Sequence, residues 1–306
     1  MSRPEVARLI AKTDPGMMPS EYLQRMEALV ARFEDCFRPD FTIGDGTDGK
    51  RHVVRIKLRP DAIPVSRKPF RLPREHTILV QDWVRRNIQL GRMRLLRMDE
   101  LEGWSATTFV VPKPNGDFRR VTDYRGLNTY ILDSAYFTPD SRFSLEQIAD
   151  NCVFSEFDCV DGFWNVRIDE RNYKYLATRI ERIRIVSYTV LPMGLKVSSS
   201  EYQYVMDVTF SGIDVGQETH YVDDLRLHCP SFAAHLRVLE QVLSASHGVL
   251  TWKAWKCRLL TLETSLLGRL CSSTGIRLDP AHLQARVVFP RPQTLKAVRS
   301  FCEIAN

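Results

Sequence analysis

No run in this sequence approaches the ~18 consecutive apolar residues that a membrane span requires. The opening Met-Ser-Arg-Pro-Glu also lacks the basic-then-apolar pattern of a secretory leader. Both absences predict an intracellular chain that is not secreted and has no membrane partner. Cysteine is sparse: Cys36, Cys152, Cys159, Cys229, Cys257, Cys271 and Cys302 are scattered, odd in number and never spaced as C-x-x-C. That pattern argues against a disulfide framework and a zinc site, and for reduced thiols. The seven histidines are equally dispersed. Internal repeats and low-complexity tracts are missing, which excludes a repeat architecture.

What is present is an ordinary folded chain with a basic balance. Its 306 residues are 44% hydrophobic and 26% charged, enough for one large or two modest domains. The net charge of +6 is compatible with a polyanionic partner, because each neutralised phosphate releases counterions; many basic proteins nevertheless touch no nucleic acid. The local concentration is sharper, with eight Lys or Arg in the 24 residues from Arg51 to Arg74.

Residues 1–50 read as a lead-in with one amphipathic helix, facing inward with Tyr22, Met26, Leu29, Val30 and Phe33, and a Gly- and Asp-rich linker at 38–50. His52 to Leu58 alternates as a strand would, Pro60 to Pro73 is extended, and Thr77 to Leu90 returns to helical spacing. Ser105 to Val111 and Phe118 to Thr122 predict a basic hairpin, closed by a turn containing Asn115-Gly116. Ser198-x-x-Glu201 has the form of a capping box and predicts a helix through Met206. Ser231 caps another helix, with Leu236, Leu239, Val242 and Leu243 on its apolar face. Helices and short strands alternate irregularly, which predicts an α+β architecture rather than a doubly wound sheet.

The sharpest chemical feature is His220-Tyr221-Val222-Asp223-Asp224-Leu225-Arg226-Leu227. Strand formers flank two consecutive aspartates, so the pair belongs at the tip of a hairpin, where Asp tolerates left-handed backbone. Taken alone, such a pair reads as a solvated turn. A second site changes the reading: Cys152 to Asp158 predicts a strand ending at Asp158, 65 residues before Asp223, with a capped helix between them. If the two strands are neighbours, three carboxylates converge, and adjacent carboxylates call for a compensating cation. Hard oxygen ligands suit Mg²⁺, and two such ions would serve both ends of an in-line phosphoryl displacement.

Several ordered blocks resemble one family. Pro64-Val65-Ser66-Arg67-Lys68-Pro69-Phe70-Arg71-Leu72, then Trp104-Ser105 through Asp123-Tyr124-Arg125-Gly126-Leu127-Asn128, Phe154-Ser155-Glu156-Phe157-Asp158, Leu191-Pro192-Met193-Gly194-Leu195 and Tyr221-Val222-Asp223-Asp224 appear in the family's order. Downstream, Lys256-Cys257, Leu266-Leu267-Gly268, Gly275 to Pro280 and Leu295 to Asn306 continue the match. The chain is similar to the reverse transcriptase domain of gypsy-type (Metaviridae-like) LTR retrotransposon polyproteins over roughly residues 50 to 306.

This resemblance implies a right-hand polymerase fold: fingers and palm, a partial thumb, and a palm whose antiparallel sheet packs on helices. It divides the chain into the lead-in at 1–50, fingers and palm at 51–260, and a primer-grip region with the truncated start of the thumb at 261–306. It implies that Asp158, Asp223 and Asp224 are catalytic and hold two Mg²⁺ (Mn²⁺ being an alternative). Phe163, five residues after Asp158, would be the steric gate against a 2′-hydroxyl. Lys113 and Arg119 would hold the dNTP triphosphate, Met193 and Gly194 would floor the nucleotide pocket, and Leu267 and Gly268 would hold the primer end. Lys253 falls in the region of a further family motif, where a solvated lysine is an equal reading. Partners would be an RNA or DNA template with primer, and dNTPs.

The departures are Ser199 where the family has Pro, Glu201 near the template–substrate pair, Pro112 and Pro114 in place of hairpin lysines, and Trp164 in place of His. RNase H and integrase domains, expected in a full-length polyprotein, and an aspartic-protease signature are absent here, which predicts a polyprotein fragment or truncated copy. Two readings follow. One is an RNA-directed DNA polymerase; the other is a catalytically silent, truncated relative that at most binds nucleic acid. An RNA-dependent RNA polymerase is disfavoured by Phe163 and by Tyr-Val-Asp-Asp in place of Gly-Asp-Asp.

Overall fold

The computed structural model describes residues 19–37, 52–69, 71–112, 116, 118–136, 148, 151–213, 217–222, 224–266, 268–280 and 291–305. Helix α1 (Ser20–Arg32) buries Met26, Leu29 and Val30, the stripe its spacing predicts. Strand β1 is only Val53–Val54. Burial does alternate from Val53 to Lys57, yet partners are few: Val54 pairs across to a later strand, and Ile56 N–H is taken by the Asn172 side chain at 2.9 Å. The alternation therefore records an extended segment packed on the core, not a long strand. Helix α2 (Arg74–Gln89) starts directly after Pro73, three residues ahead of the predicted Thr77.

Strands β2 (Met93–Leu95), β3 (Ala106–Pro112) and β4 (Phe118–Thr122) follow. β3 and β4 pair antiparallel from Thr108↔Thr122 to Pro112↔Phe118, which is the predicted hairpin; most of its closing turn lies outside the described residues. A single helical turn, α3 (Arg125–Asn128), leads on to β5 (Val153–Asp158), β6 (Arg167–Ile168), β7 (Thr178–Ile180) and β8 (Arg184–Tyr188). Helix α4 (Ser198–Phe210) precedes β9 (Glu218–Tyr221) and β10 (Asp224–Cys229). Helix α5 (Phe232–Ser246), β11 (Arg258–Thr261), β12 (Glu263–Leu266), β13 (Arg269–Ser272), β14 (Gly275–Leu278) and α6 (Leu295–Ala305) complete the described elements.

The sheet that matters for function has the order β11-β5-β10-β9 and is antiparallel throughout. β5 is central and buries Val153, Phe154, Ser155 and Phe157, while β10 buries Leu225, Leu227, His228 and Cys229. Helix α5 packs across this sheet with Leu236, Leu239, Val242 and Leu243 fully or almost fully buried, as its sequence predicts. Each such aliphatic side chain contributes ~1.5–3 kcal/mol. Its cap is also as predicted: Ser231 Oγ accepts from Ala234 N–H at 3.3 Å.

A second, mixed sheet runs β2-β8-β7-β3-β4, and a third runs β12-β13-β14. The architecture is α+β, with an antiparallel palm-type sheet packed on helices. One predicted device is absent. Ser198 is the first residue of α4, with Val197 at the cap position, and its hydroxyl donates to Pro192 O at 2.6 Å. Glu201 does not fold back on the backbone but meets His52 Nε2 at 2.8 Å. Val197, with near-helical backbone, already supplies the cap carbonyl to Glu201 N–H, so the capping box has no role to fill.

Candidate active site

Asp158 is the last residue of β5 and Asp224 the first of β10, and the two stand directly opposite each other in the antiparallel ladder. Directly opposed residues hold their Cβ atoms ~4.5–5.5 Å apart, so the two carboxylates share one corner of the sheet. The buried rows behind them, Phe157 and Leu225, anchor both strand ends. Asp223 lies outside the described residues, as do Lys113 and Leu267.

Asp158 is embraced by two ammonium groups, Lys253 Nζ at 2.5 Å from Oδ1 and Lys256 Nζ at 2.8 Å from Oδ2. Burial pushes its carboxyl upward, but hydrogen bonds and charge from the two lysines outweigh this and hold it below the usual carboxylate range. The lysine segment is pinned to the strand end. Val160 N–H donates to Thr251 O, Cys159 bridges to Trp252, and Lys253 N–H donates to Asp158 O. Trp252 is fully buried against Phe157 and Phe210. Lys253 is thus tied to the carboxylate rather than solvated, and Lys256, weighed in the sequence only as part of a motif, joins it. Asp224 is more exposed and has the Arg226 guanidinium at 3.7 Å.

The turn between β9 and β10 carries strain. Val222, a β-branched residue, sits in the left-handed region at φ 57°. Its N–H donates to Gln203 Oε1 at 2.8 Å, and Gln203 is fully buried on α4. Sequence reasoning missed Gln203. Its one visible signal is a polar residue between Tyr202 and Met206, on the face of α4 that turns inward.

The other predicted residues are distributed around this corner and the mixed sheet. Phe163 lies in the 3-10 turn Gly162–Asn165 that follows β5, its ring set edge-on to Tyr202 at 5.2 Å between centroids. That turn is entered through Asp161 at φ 47°, whose carboxylate takes a 3.2 Å bond from buried Arg92. Trp164, the departure from His, packs beside Trp83 with the Arg92 guanidinium over its ring. Met193 is about half exposed, and Gly194 has φ +91°. A Cβ at Gly194 would meet Thr122 O at an ordinary 3.6 Å, so the glycine answers the backbone angle and not a lack of space.

Asn128 secures this loop from both sides. Its Nδ2 donates to Gly194 O at 2.8 Å and its Oδ1 accepts from Lys196 N–H at 2.9 Å. Arg119 is exposed on β4. Gly268 takes φ +73° between β12 and β13, and its carbonyl accepts from Asp279 N–H. That three-stranded sheet docks on β5 through Glu156, which accepts from Thr264 Oγ1 and Ser265 N–H.

Chemically, the corner offers two carboxylates to a hard cation, which would have to displace the lysine ammonium groups bonded to Asp158. Both oxygens of Asp158 already face positive charge, and a second carboxylate stands across the ladder. Among the described residues, no group of three His, Cys, Asp or Glu converges as a metal cage. As two carboxylate ligands, Asp158 and Asp224 would leave most of a divalent ion's shell to other oxygens, as Mg²⁺ commonly takes from substrate phosphates and water.

The family described as reverse transcriptase (RNA-dependent DNA polymerase) matches residues 111–270, more than half of the chain. The chain is 28% identical to the retrovirus-related Pol polyprotein from transposon 412 of Drosophila melanogaster, over 94% of its own length and 23% of that protein's. It is 23% identical to the transposon Tf2-7 polyprotein of Schizosaccharomyces pombe, over 64% of this chain and 15% of that one. The chain thus spans about a quarter or less of the curated relatives it matches. In fold it is similar to the foamy viral protease-reverse transcriptase solved with an RNA/DNA hybrid: TM-score 0.81 and 20% identity, covering 99% of this chain and 39% of that one. The same protein with double-stranded DNA gives the same score over 62% of its chain. On the family match and the sheet corner together, this chain belongs to the reverse transcriptase (RNA-dependent DNA polymerase) family.

Proposed function

We propose that the chain is the polymerase portion of a gypsy-type LTR retrotransposon polyprotein, adding dNTPs to a primer 3′-hydroxyl on an RNA or DNA template. The observation that carries this reading is the ladder register that sets Asp158 opposite Asp224 at the open end of the central strands. Asp158, Asp224 and Asp223 would hold two Mg²⁺, with Mn²⁺ as substitute. Bound there, the ions would lower the pKa of the attacking hydroxyl and neutralise the leaving pyrophosphate.

The remaining steps belong to side chains. Lys253 and Lys256 keep Asp158 ionised, and Asp158 would share its oxygens with the cations when they are bound. Phe163, braced by Tyr202, bars a 2′-hydroxyl from the sugar site. Gly194 and Met193 floor the base pocket on a loop fixed by Asn128. Lys113 and Arg119 close over the triphosphate from the hairpin, where paired cations suit phosphate oxygens. Leu267 and Gly268 steady the primer end. In this reading residues 51–260 are fingers and palm, 261–306 begin the thumb, and 1–50 lead in. RNase H and integrase would belong to the longer polyprotein, in an intracellular particle or the nucleus. The polyprotein relatives and the nucleic acids bound by the foamy viral enzyme support this assignment.

One observation favours a second reading, a silent relative that only binds nucleic acid: the two lysines already satisfy both oxygens of Asp158. Primer extension on poly(rA)/oligo(dT) with Mg²⁺ separates the two. The polymerase reading expects extension that falls by about three orders of magnitude, the equivalent of ~4 kcal/mol, in Asp158→Asn. Extension no greater than that of Asp158→Asn would overturn it and leave the silent reading.

A further inference from the structure

Behind the Tyr221–Asp224 turn lies a part-buried polar chain that the reaction chemistry does not use. Gln203 Oε1 accepts from Val222 N–H, and Gln203 Nε2 donates to Asp207 Oδ1 at 2.9 Å, one helical turn along α4. Asp207 Oδ1 also receives His220 Nε2, and its Oδ2 receives the Tyr136 hydroxyl. His220 Nδ1 meets Glu218 Oε2 at 2.8 Å. The His220 side chain is only 10% exposed, and the Phe210 ring covers it at 5.8 Å. With both ring nitrogens directed at carboxylates, His220 is a double donor, which is its protonated form.

We infer that Asp207, fixed by His220, is a positioning residue that orients the Gln203 amide and thereby holds the turn leading into Asp224. The inference rests on the polymerase reading for its functional consequence. A glutamine amide is nearly symmetric in shape, and a flip would set its NH₂ against Val222 N–H, donor against donor. Asp207, accepting from Nε2 at the far end, opposes the same flip from the other side and fixes the amide in place. The need is real because Val222 at φ 57° is strained, and such a conformation persists only when its surroundings over-determine it. Asp207 also ties down β9, through His220, one residue before Tyr221. A single carboxylate on α4 thus restrains both the strand that enters the turn and the turn itself. The two ties reach it by separate routes, and loss of Asp207 releases both.

The test uses Asp207→Ala, Gln203→Leu, their double variant and the conservative Asp207→Asn, which keeps an oxygen for the Gln203 amide. Two readouts are taken on each. In steady-state primer extension, Asp207→Ala and Gln203→Leu are expected to lower kcat by about 10- to 100-fold, the scale of a slightly misplaced catalytic group, with KM for dTTP within twofold. The double variant should be no worse than the poorer single, and Asp207→Asn should keep at least half of the activity. In hydrogen exchange, the Val222 amide should be protected in the parent chain and lose protection in Asp207→Ala and Gln203→Leu, while amides of α5 stay protected. If the parent chain does not extend primers, the polymerase reading fails by itself and the exchange readout alone decides the positioning claim. Unchanged protection of Val222 in Asp207→Ala, or equal loss in Asp207→Asn and Asp207→Ala, overturns it.

Discussion

Phe163 illustrates how a single side chain acquires meaning from what surrounds it. By itself an aromatic at that position is a core residue; here it is half-buried, edge-on to Tyr202, in the turn that leaves the Asp158 strand. In the proposed function, a ring set against Tyr202 would stand in the way of a ribose hydroxyl. Replacing it by a smaller side chain, Phe163→Val, should therefore relax discrimination against ribonucleotides by roughly 10- to 100-fold in kcat/KM, the range a pocket-wall change commonly gives. Incorporation of rUTP against dTTP on one template measures this, and an unchanged ratio would remove Phe163 from the gate. The strand ending at Asp158 was legible from its own residues, whereas Phe163 gained its reading only from the family resemblance. Gln203, Asp207 and Asn128 were not legible, because their partners lie far along the chain: Val222 is 19 residues from Gln203, and Gly194 is 66 from Asn128.

Among the elements, the helices and hairpins followed from periodicity and turn chemistry, but devices that depend on contact did not. The box expected at Ser198 and Glu201 gave way to tertiary bonds, one to Pro192 and one to His52. Val222, in the turn between β9 and β10, takes the left-handed region, and its amide is captured by Gln203, a contact no local pattern reveals.

The palm-type sheet also carries three histidines of opposite behaviour. Burial pushes His228 on β10 down to about 4 and His235 on α5 down to about 3. His220 on β9 is lowered by burial, but Asp207 and Glu218 more than reverse this and raise it to about 9. The depressed pair is neutral when folded, so its contribution is whole above pH ~6.5 and lost as pH falls toward 4. The raised His220 contributes fully below pH ~6.5, and that contribution is lost as pH rises through 9. Displacements of this size correspond to ~3–5 kcal/mol at most. Urea unfolding across pH 4 to 9.5 should give a maximum near neutrality, with His220→Gln flattening the alkaline limb and His228→Gln the acid limb. Limbs unmoved by these variants would show that other groups set the pH dependence.

For the whole molecule, the order β11-β5-β10-β9 converts two distant motifs into one site. The sequence supplied the motifs, their order and the family resemblance. It did not supply the ladder register, the lysine clamp on Asp158, or the docking of the β12–β14 sheet through Glu156, all of which depend on three-dimensional neighbours. The central claim is that the corner shared by Asp158 and Asp224 takes a divalent cation in place of the lysine ammonium groups. Manganese binding followed by electron paramagnetic resonance tests it without requiring catalysis. Saturable Mn²⁺ binding that is weakened at least tenfold, ~1.4 kcal/mol, in Asp158→Asn and displaced by Mg²⁺ is the expected result. Identical binding isotherms for the parent chain and Asp158→Asn would contradict it.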